Sequence, residues 1–161
     1  MTQRVQRVVI LGGGSAGWLV GGLLAAEHGV RAGGTLQITL LESPAQPPIG
    51  VGEGTWPSMR DTLRRIGLRE TDLVRHCDAA FKQGSQFVGW ASGQEGDSYH
   101  HPFTLPVGHG DADLPGGWLA HHPEMPFADL VSPQPHLCRR HLAPKQAGTP
   151  EYAAVANYGY H

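Results

Sequence analysis

The sequence has little cysteine, little net charge and no long apolar run, and each shortage excludes a class of protein. The 161 residues contain two cysteines, Cys77 and Cys138, whose spacing matches no metal site and supports no disulfide framework. We therefore expect a reducing, cytoplasmic setting. A formal net charge of −2 gives no electrostatic reason to bind nucleic acid or a membrane surface. No apolar run is long enough to span a membrane, and the first strand begins too early to leave room for a signal peptide.

Proline and histidine are scarce in the first half of the chain and concentrated in the second. Nine of the 13 prolines and seven of the 10 histidines lie within residues 91–150, where the apolar periodicity also fails. We therefore predict two parts. Residues 1–90 form a nucleotide-binding unit with a loop and a lysine segment, and residues 91–161 form an irregular segment that ends at the start of another core element. The paired histidines of this segment lack the i, i+4 spacing of metal ligands, so we predict no metal site.

A glycine-rich turn near the N-terminus is the most informative local pattern. The apolar, β-branched run at residues 8–11 precedes Gly12, Gly14 and Gly17, which fit G-x-G-x-x-G. Such glycines let a strand turn sharply, allow the backbone to approach a pyrophosphate, and direct a helix N-terminus at it. The pattern predicts an adenine-dinucleotide site, and a purely structural glycine turn is the simpler alternative.

The residues that follow the glycines favour the nucleotide-binding interpretation. Apolar residues continue as a helix that we expect to end near His28 and Gly29. Residues 35–41 read as a second strand, and Glu42 follows it at a position suited to a ribose hydroxyl pair. Both strands are almost continuously apolar, which predicts a parallel sheet covered by helices on both faces.

Beyond Glu42 the chain alternates between loop and short helices. Three prolines and three glycines make residues 43–55 a loop, and Pro57 suits the first turn of a helix that Gly67 ends. A second helix is expected over residues 70–78, and a strand over residues 87–90.

Three stretches in order resemble the N-terminal part of the flavin-dependent tryptophan halogenase family. They are GGGSAGW at residues 12–18, GVGEGTWP at residues 50–57 and AFK at residues 80–82. The closing NYGYH, residues 157–161, resembles a family segment that normally leads into further chain.

The resemblance implies an α/β fold: an FAD-binding, Rossmann-like domain of the flavin monooxygenase type, ending before the sheet and the substrate domain are complete. It implies an enzyme that uses reduced FAD, supplied by a separate flavin reductase, with oxygen and chloride or bromide. The hypohalous acid formed then halogenates an electron-rich aromatic such as tryptophan or indole, free or carrier-bound. The intact protein is expected to be cytoplasmic, and a homodimer is possible.

The resemblance also assigns residues. Lys82 matches the catalytic lysine that directs the electrophilic halogen, whereas without the resemblance it would be an ordinary exposed lysine. Residues 51–55 resemble the strap that links flavin and substrate site, where backbone N–H groups can hold a halide. The expected cofactor-binding residues are Gly12, Gly14, Ser15, Ala16, Gly17, Glu42, Val51, Gly52 and Glu53.

The chain also departs from the family pattern, and alternatives stay open. The Trp-x-Trp-x-Ile-Pro motif and the glutamate that partners the lysine are absent from these residues, so we expect a fragment that is inactive alone. The alternatives are a flavin-dependent aromatic hydroxylase, an NAD-dependent dehydrogenase that shares the glycine turn, and a non-functional remnant.

Overall fold

The computed structural model describes residues 4–47 and 52–161, and the chain divides into two compact units. The first unit comprises the chain up to residue 53 together with residues 58–78, and the second comprises residues 54–57 and 79–161. Within the described ranges, none of the helices combines the length and the apolar character that crossing a bilayer requires.

The first unit is built on the predicted β-α-β arrangement. Strand β1 (Arg7–Leu11) pairs in parallel with β2 (Gln37–Leu41). Helix α1 (Ser15–Glu27) connects them, followed by a 3₁₀ turn at Val30–Ala32. Gly29 adopts a φ of 60°, a left-handed conformation that glycine reaches at little cost, and so the helix ends where the sequence predicts. The mixed α/β fold class is confirmed.

The cover of this two-stranded sheet differs from the prediction. Helix α1 packs on one face, where a Cβ atom at Gly21 would lie 3.4 Å from Ile10 Cδ1. Val9, Leu11 and Leu41 on the other face are 63%, 88% and 50% exposed. The expectation of cover on both faces is therefore wrong for the described residues, because α2 packs chiefly against α1 and no described element of this unit fills the second face.

Two predicted helices complete the first unit. Helix α2 (Met59–Ile66) ends at Gly67, whose φ is 85°, and α3 (Glu70–Cys77) follows it. A Cβ atom at Gly22 would lie only 3.2 Å from Ile66, so the glycine lets α1 and α2 approach closely.

The second unit contains short strands and helices. Strand β3 (Phe81–Lys82) pairs antiparallel with β6 (Gly159–Tyr160), and β4 (Gly84–Val88) pairs antiparallel with β5 (Ser98–Pro102). The helices are α4 (Leu114–His121), α5 (Phe127–Val131) and α6 (Gln134–Arg139). The strand predicted at residues 87–90 thus lies a few residues earlier, as β4.

Residues 91–150, expected to be irregular, contain one strand and three helices. Four of the nine prolines that interrupt the periodicity lie at helix starts, where a missing N–H costs nothing. Pro115 lies in the first turn of α4, and the Asp113 side chain caps that helix by accepting a hydrogen bond from Gly116 N at 3.0 Å. Pro135 occupies the same place in α6. The prolines therefore mark helix beginnings as well as breaks.

The loop between β4 and β5 is organised by one carboxylate. Asp97 accepts hydrogen bonds from the backbone N–H groups of Ala91, Ser92 and Gly93 at 2.9, 2.6 and 2.8 Å. The bond from Ser92, followed by that from Gly93, favours the charged carboxylate and lowers the pKa of Asp97 below its ordinary value of 3.8. The charged form therefore stabilises the folded loop.

The lowered pKa gives this loop a predicted pH dependence. A depressed folded-state pKa means that the stabilisation is fully present above pH 3.8 and is lost as the pH falls through the lower folded-state value. We expect the amide signals of Ala91, Ser92 and Gly93 to move together in NMR spectra recorded across that acid range, and Asp97→Asn to abolish the shared transition. An identical transition in the variant would contradict the assignment.

Candidate functional site

The glycine turn of the first unit forms a cradle between the ends of two strands. Gly12 follows β1 with a φ of 113°, which side-chain-bearing residues rarely adopt, and its N–H donates to Leu41 O at 2.8 Å. Gly14 is the N-cap of α1, and the first helical hydrogen bond runs from Trp18 N to Gly14 O at 3.1 Å. The sequence folds this way because only glycine tolerates the turn at Gly12.

The glycines of the turn differ in how much space a side chain would have at each position. A Cβ atom at Gly13 would collide with the Glu42 carboxylate, and one at Gly17 would collide with Gly12 O. At Gly14 a Cβ atom would meet nothing within 4 Å. Gly17 is therefore required by the backbone of the turn, and Gly13 makes room for the Glu42 side chain where it lies, whereas the space beside Gly14 is open.

A cavity of about 600 Å³ lies over this cradle. Its lining brings Gly12, Gly14 and Glu42 together, as the sequence predicts for a nucleotide site. Ser15, Ala16 and Gly17 form the first turn of α1, whose N–H groups precede the first intrahelical hydrogen bond and can bind an anion. The open Cβ direction at Gly14, the helix N-terminus and the nearby carboxylate together fit the adenosine-diphosphate end of FAD.

The strap-like loop is only partly described. Val51 lies outside the described residues. Gly52 has a φ of 71°, and Glu53 is exposed. The part of the loop that the structure describes does not contribute to the lining of the 600 Å³ cavity, so the roles of Val51, Gly52 and Glu53 remain predictions.

Lys82 lies in the second unit, on strand β3. Its strand is held by β6, where Lys82 pairs with Gly159, and the pairing continues through reciprocal backbone bonds between Ala80 and His161 at 2.8 and 2.9 Å. The side chain is half-buried. The structure therefore fixes the lysine backbone through the far end of the chain.

Two aromatic rings lie beside the Lys82 amine. Nζ is 5.6 Å from the ring centroid of Phe103 and 5.9 Å from that of Trp56, and the two ring centroids are 5.3 Å apart. A Cβ atom at Gly54 would lie 2.7 Å from Nζ. The amine thus lies near two π-faces and against a residue that has no side chain.

The loop that carries Trp56 is tied to the same small sheet. Thr55 N donates to Tyr160 O at 2.7 Å, and Tyr160 N donates to Thr55 Oγ1 at 2.7 Å. This reciprocal pair places residues 54–57 beside β6, which in turn holds β3. Thr55 is therefore the link between the Trp56 loop and the lysine strand.

A second cavity, of about 320 Å³, lies against β3, β4 and α6. Its lining residues include Lys82, Gln83, His100, Gln134 and Cys138. Partial desolvation raises the pKa of the Cys138 thiol above its ordinary value of 9.0, although the residue as a whole is exposed. Within residues 4–47 and 52–161, no group of three or more histidine, cysteine or acidic residues could hold a metal ion.

Sequence reasoning identified Lys82 but not its surroundings. Trp56 lies beside the amine although it is 63% exposed. Phe103 and Tyr160 were not predicted, because their positions depend on pairing between distant segments. The only local signal for Phe103 was an apolar residue directly after β5.

Comparisons with known proteins agree with these observations. The family model described as tryptophan halogenase matches residues 7–161. A tryptophan 6-halogenase of Streptomyces albogriseolus is 38% identical over 118 residues, which are 65% of this chain and 22% of that protein. A solved tryptophan halogenase from Shewanella frigidimarina NCIMB 400 is 50% identical with a TM-score of 0.87, covering 98% of this chain and 32% of its own.

A solved flavin-dependent halogenase from Xanthomonas campestris is 31% identical with a TM-score of 0.78, covering 99% of this chain and 31% of its own. The chain thus spans about a third or less of the length of the relatives that it matches. The family match nevertheless extends over nearly every residue of the chain, including the glycine cradle and Lys82. This chain belongs to the tryptophan halogenase family.

Proposed function

We propose that this chain forms the FAD-binding and lysine-bearing part of a flavin-dependent halogenase that acts on an electron-rich aromatic such as tryptophan or indole. The observation that carries the proposal is the half-buried amine of Lys82, 5.6 and 5.9 Å from two aromatic ring centroids. The relatives named as tryptophan halogenases support the substrate class, and the glycine cradle supports the cofactor.

Within the first unit, the cradle would hold the adenosine-diphosphate part of FAD. The backbone at Gly12 and Gly14 would approach the pyrophosphate, and the N–H groups of residues 15–17 would bind its oxygens. Glu42 would accept hydrogen bonds from the ribose hydroxyls. Each role uses groups that already line or border the 600 Å³ cavity.

FAD, when bound in its reduced form, would supply two of the four electrons that reduce oxygen. Halide would supply the other two as it becomes hypohalous acid, and the second oxygen atom would leave as water. We assign the supply of reduced flavin to a separate reductase and the halide site to backbone N–H groups of the strap-like loop near Gly52 and Glu53. Chloride or bromide would fit such a site.

In the second unit, Lys82 would direct the halogen. As an ammonium it donates a hydrogen bond to hypohalous acid; as a neutral amine it forms an N–halogen bond and releases water. In either case the halogen is transferred as an electrophile to a ring carbon, which then loses its proton. The net change is Ar–H plus HOX giving Ar–X plus water.

The open direction at Gly14 yields a sharp test of the cradle. Gly14→Val should fold normally, because a Cβ atom at this position meets nothing within 4 Å, but it should obstruct the pyrophosphate. We expect the affinity of the chain for ADP, measured by calorimetry or NMR titration, to fall at least tenfold, about 1.4 kcal/mol.

The matched control is Gly117→Val, since a Cβ atom at Gly117 also meets nothing within 4 Å and Gly117 lies in α4 of the other unit. It should leave ADP binding unchanged. Equal affinity in Gly14→Val and the unaltered chain would remove the glycine turn from the cofactor site.

The two lysines of the chain, Lys82 and Lys145, allow a matched test of catalysis. Because the chain spans a third of its relatives, the assay uses a chimera in which it replaces the corresponding segment of the Shewanella halogenase. Lys82→Ala should abolish halogenated tryptophan or indole without slowing flavin oxidation, because it removes the amine that both the hydrogen-bonding and the N–halogen routes require. Lys145→Ala should retain the product.

Product analysis by mass spectrometry, with and without bromide, also separates the alternatives. A hydroxylated product that forms without halide would identify a hydroxylase. Halogenated product from the Lys82→Ala chimera would contradict the role of Lys82.

A further inference from the structure

The backbone of Phe103, whose ring lies beside Lys82, is hydrogen-bonded through both its N–H and its carbonyl group. Phe103 N donates to Gln83 O at 3.0 Å, and Phe103 O accepts from Asn157 Nδ2 at 3.2 Å. The next residue is fixed in the same way, since Thr104 N donates to Gln134 Oε1 at 2.7 Å and Thr104 Oγ1 accepts from Asn157 N at 2.8 Å. The segment therefore has little freedom to rotate or slide.

Gln134 stands at the centre of this network. Its side chain accepts from Thr104 N through Oε1 and donates to Asn157 O through Nε2. The residue is 1% exposed, at the start of α6. A buried amide that uses both its acceptor and its donor fixes the geometry of both partners, because each lost bond would leave a polar group unsatisfied.

We propose that Gln134 and Asn157 are positioning residues that clamp Phe103 against the Lys82 amine; the catalytic meaning of this clamp rests on the proposed function of Lys82. An apolar core could hold the segment without the desolvation cost of the buried Gln134 amide. Hydrogen bonds are directional. They fix the backbone that carries the Phe103 ring and, through it, the distance from the ring to Nζ. The clamp thus holds the Phe103 ring beside the Lys82 side chain and limits the directions in which the amine can point.

The presence of only two lysines makes this clamp measurable without flavin, halide or substrate. Reductive ¹³C-methylation of the full 161-residue chain gives one dimethylamine NMR signal for each lysine. Ring currents from Phe103 and Trp56 should displace the Lys82 signal from the value of free dimethyl-lysine. Phe103→Leu removes one ring and so calibrates the part of the displacement that Phe103 contributes.

Gln134→Met has nearly the same size but makes neither hydrogen bond, and Asn157→Asp loses the donor to Phe103 O. We expect each to move the Lys82 signal by at least half of the change that Phe103→Leu produces, while the Lys145 signal keeps its position. The matched control is Gln86→Met, on the exposed side of β4, where the amide donates a hydrogen bond to Ser98 Oγ at 2.9 Å. It should leave both lysine signals in place.

A Lys82 signal that stays in place in both folded variants would overturn the proposal. If Gln134→Met unfolds the unit, both lysine signals move to the free value, and Asn157→Asp then decides. Collapse of both signals in both variants would also count against the clamp, because the bonds would then support the whole fold rather than one ring. The chimera assay tests separately whether Lys82 catalyses halogenation. Its outcome does not change what the NMR signals say about the position of the Phe103 ring.

Discussion

The lysine site depends on one short antiparallel pairing, that of Phe81–Lys82 with Gly159–Tyr160. Two paired residues have no stability of their own, and bringing them together carries the entropy cost of closing a long loop. Aromatic packing offsets this cost. Tyr158 is fully buried and meets Phe81 and Tyr160 edge to face, with ring centroids 5.0 and 5.7 Å apart.

The glycine cradle and the Lys82 region differ in how far apart their residues lie in the sequence. The glycine cradle is local: a strand, a turn and a helix N-terminus lie within about twenty residues, and Glu42 is delivered by the next strand. The Lys82 region is assembled from four distant segments, around residues 55, 82, 103 and 160. A substitution at Gly14, where a Cβ atom meets nothing within 4 Å, should therefore act on cofactor binding, whereas substitutions far from Lys82 in the sequence can disturb the lysine.

Elements that depend on nearby residues could be predicted from the sequence, whereas features that depend on distant contacts could not. The β-α-β unit, the end of α1 at Gly29 and helices α2 and α3 follow from periodicity, capping and proline placement, and they are confirmed. The exposed face of the first sheet was not predicted, since an apolar strand does not reveal which of its faces is covered. Strand β3 was missed because two residues carry no periodicity.

The candidate site shows the same limit. Gly12, Gly14 and Glu42 could be placed together from a motif with a known geometry. Lys82 was singled out only through the family resemblance, and nothing in the sequence near Phe103 or Gln134 indicated that they belong to the same region. Their association is a product of tertiary hydrogen bonds, which a single sequence does not encode in any local pattern.

The central claim is that pairing with the end of the chain places the Lys82 amine beside Trp56 and Phe103. The most direct measurement is a ¹³C-filtered NOE experiment on the chain with labelled lysine, recorded on residues 1–161 and on a version that lacks residues 158–161. The account predicts NOEs from the Lys82 ε-methylene protons to both rings in the first sample and their loss in the second. Ring NOEs that are absent from the first sample, or that persist in the second, would contradict it.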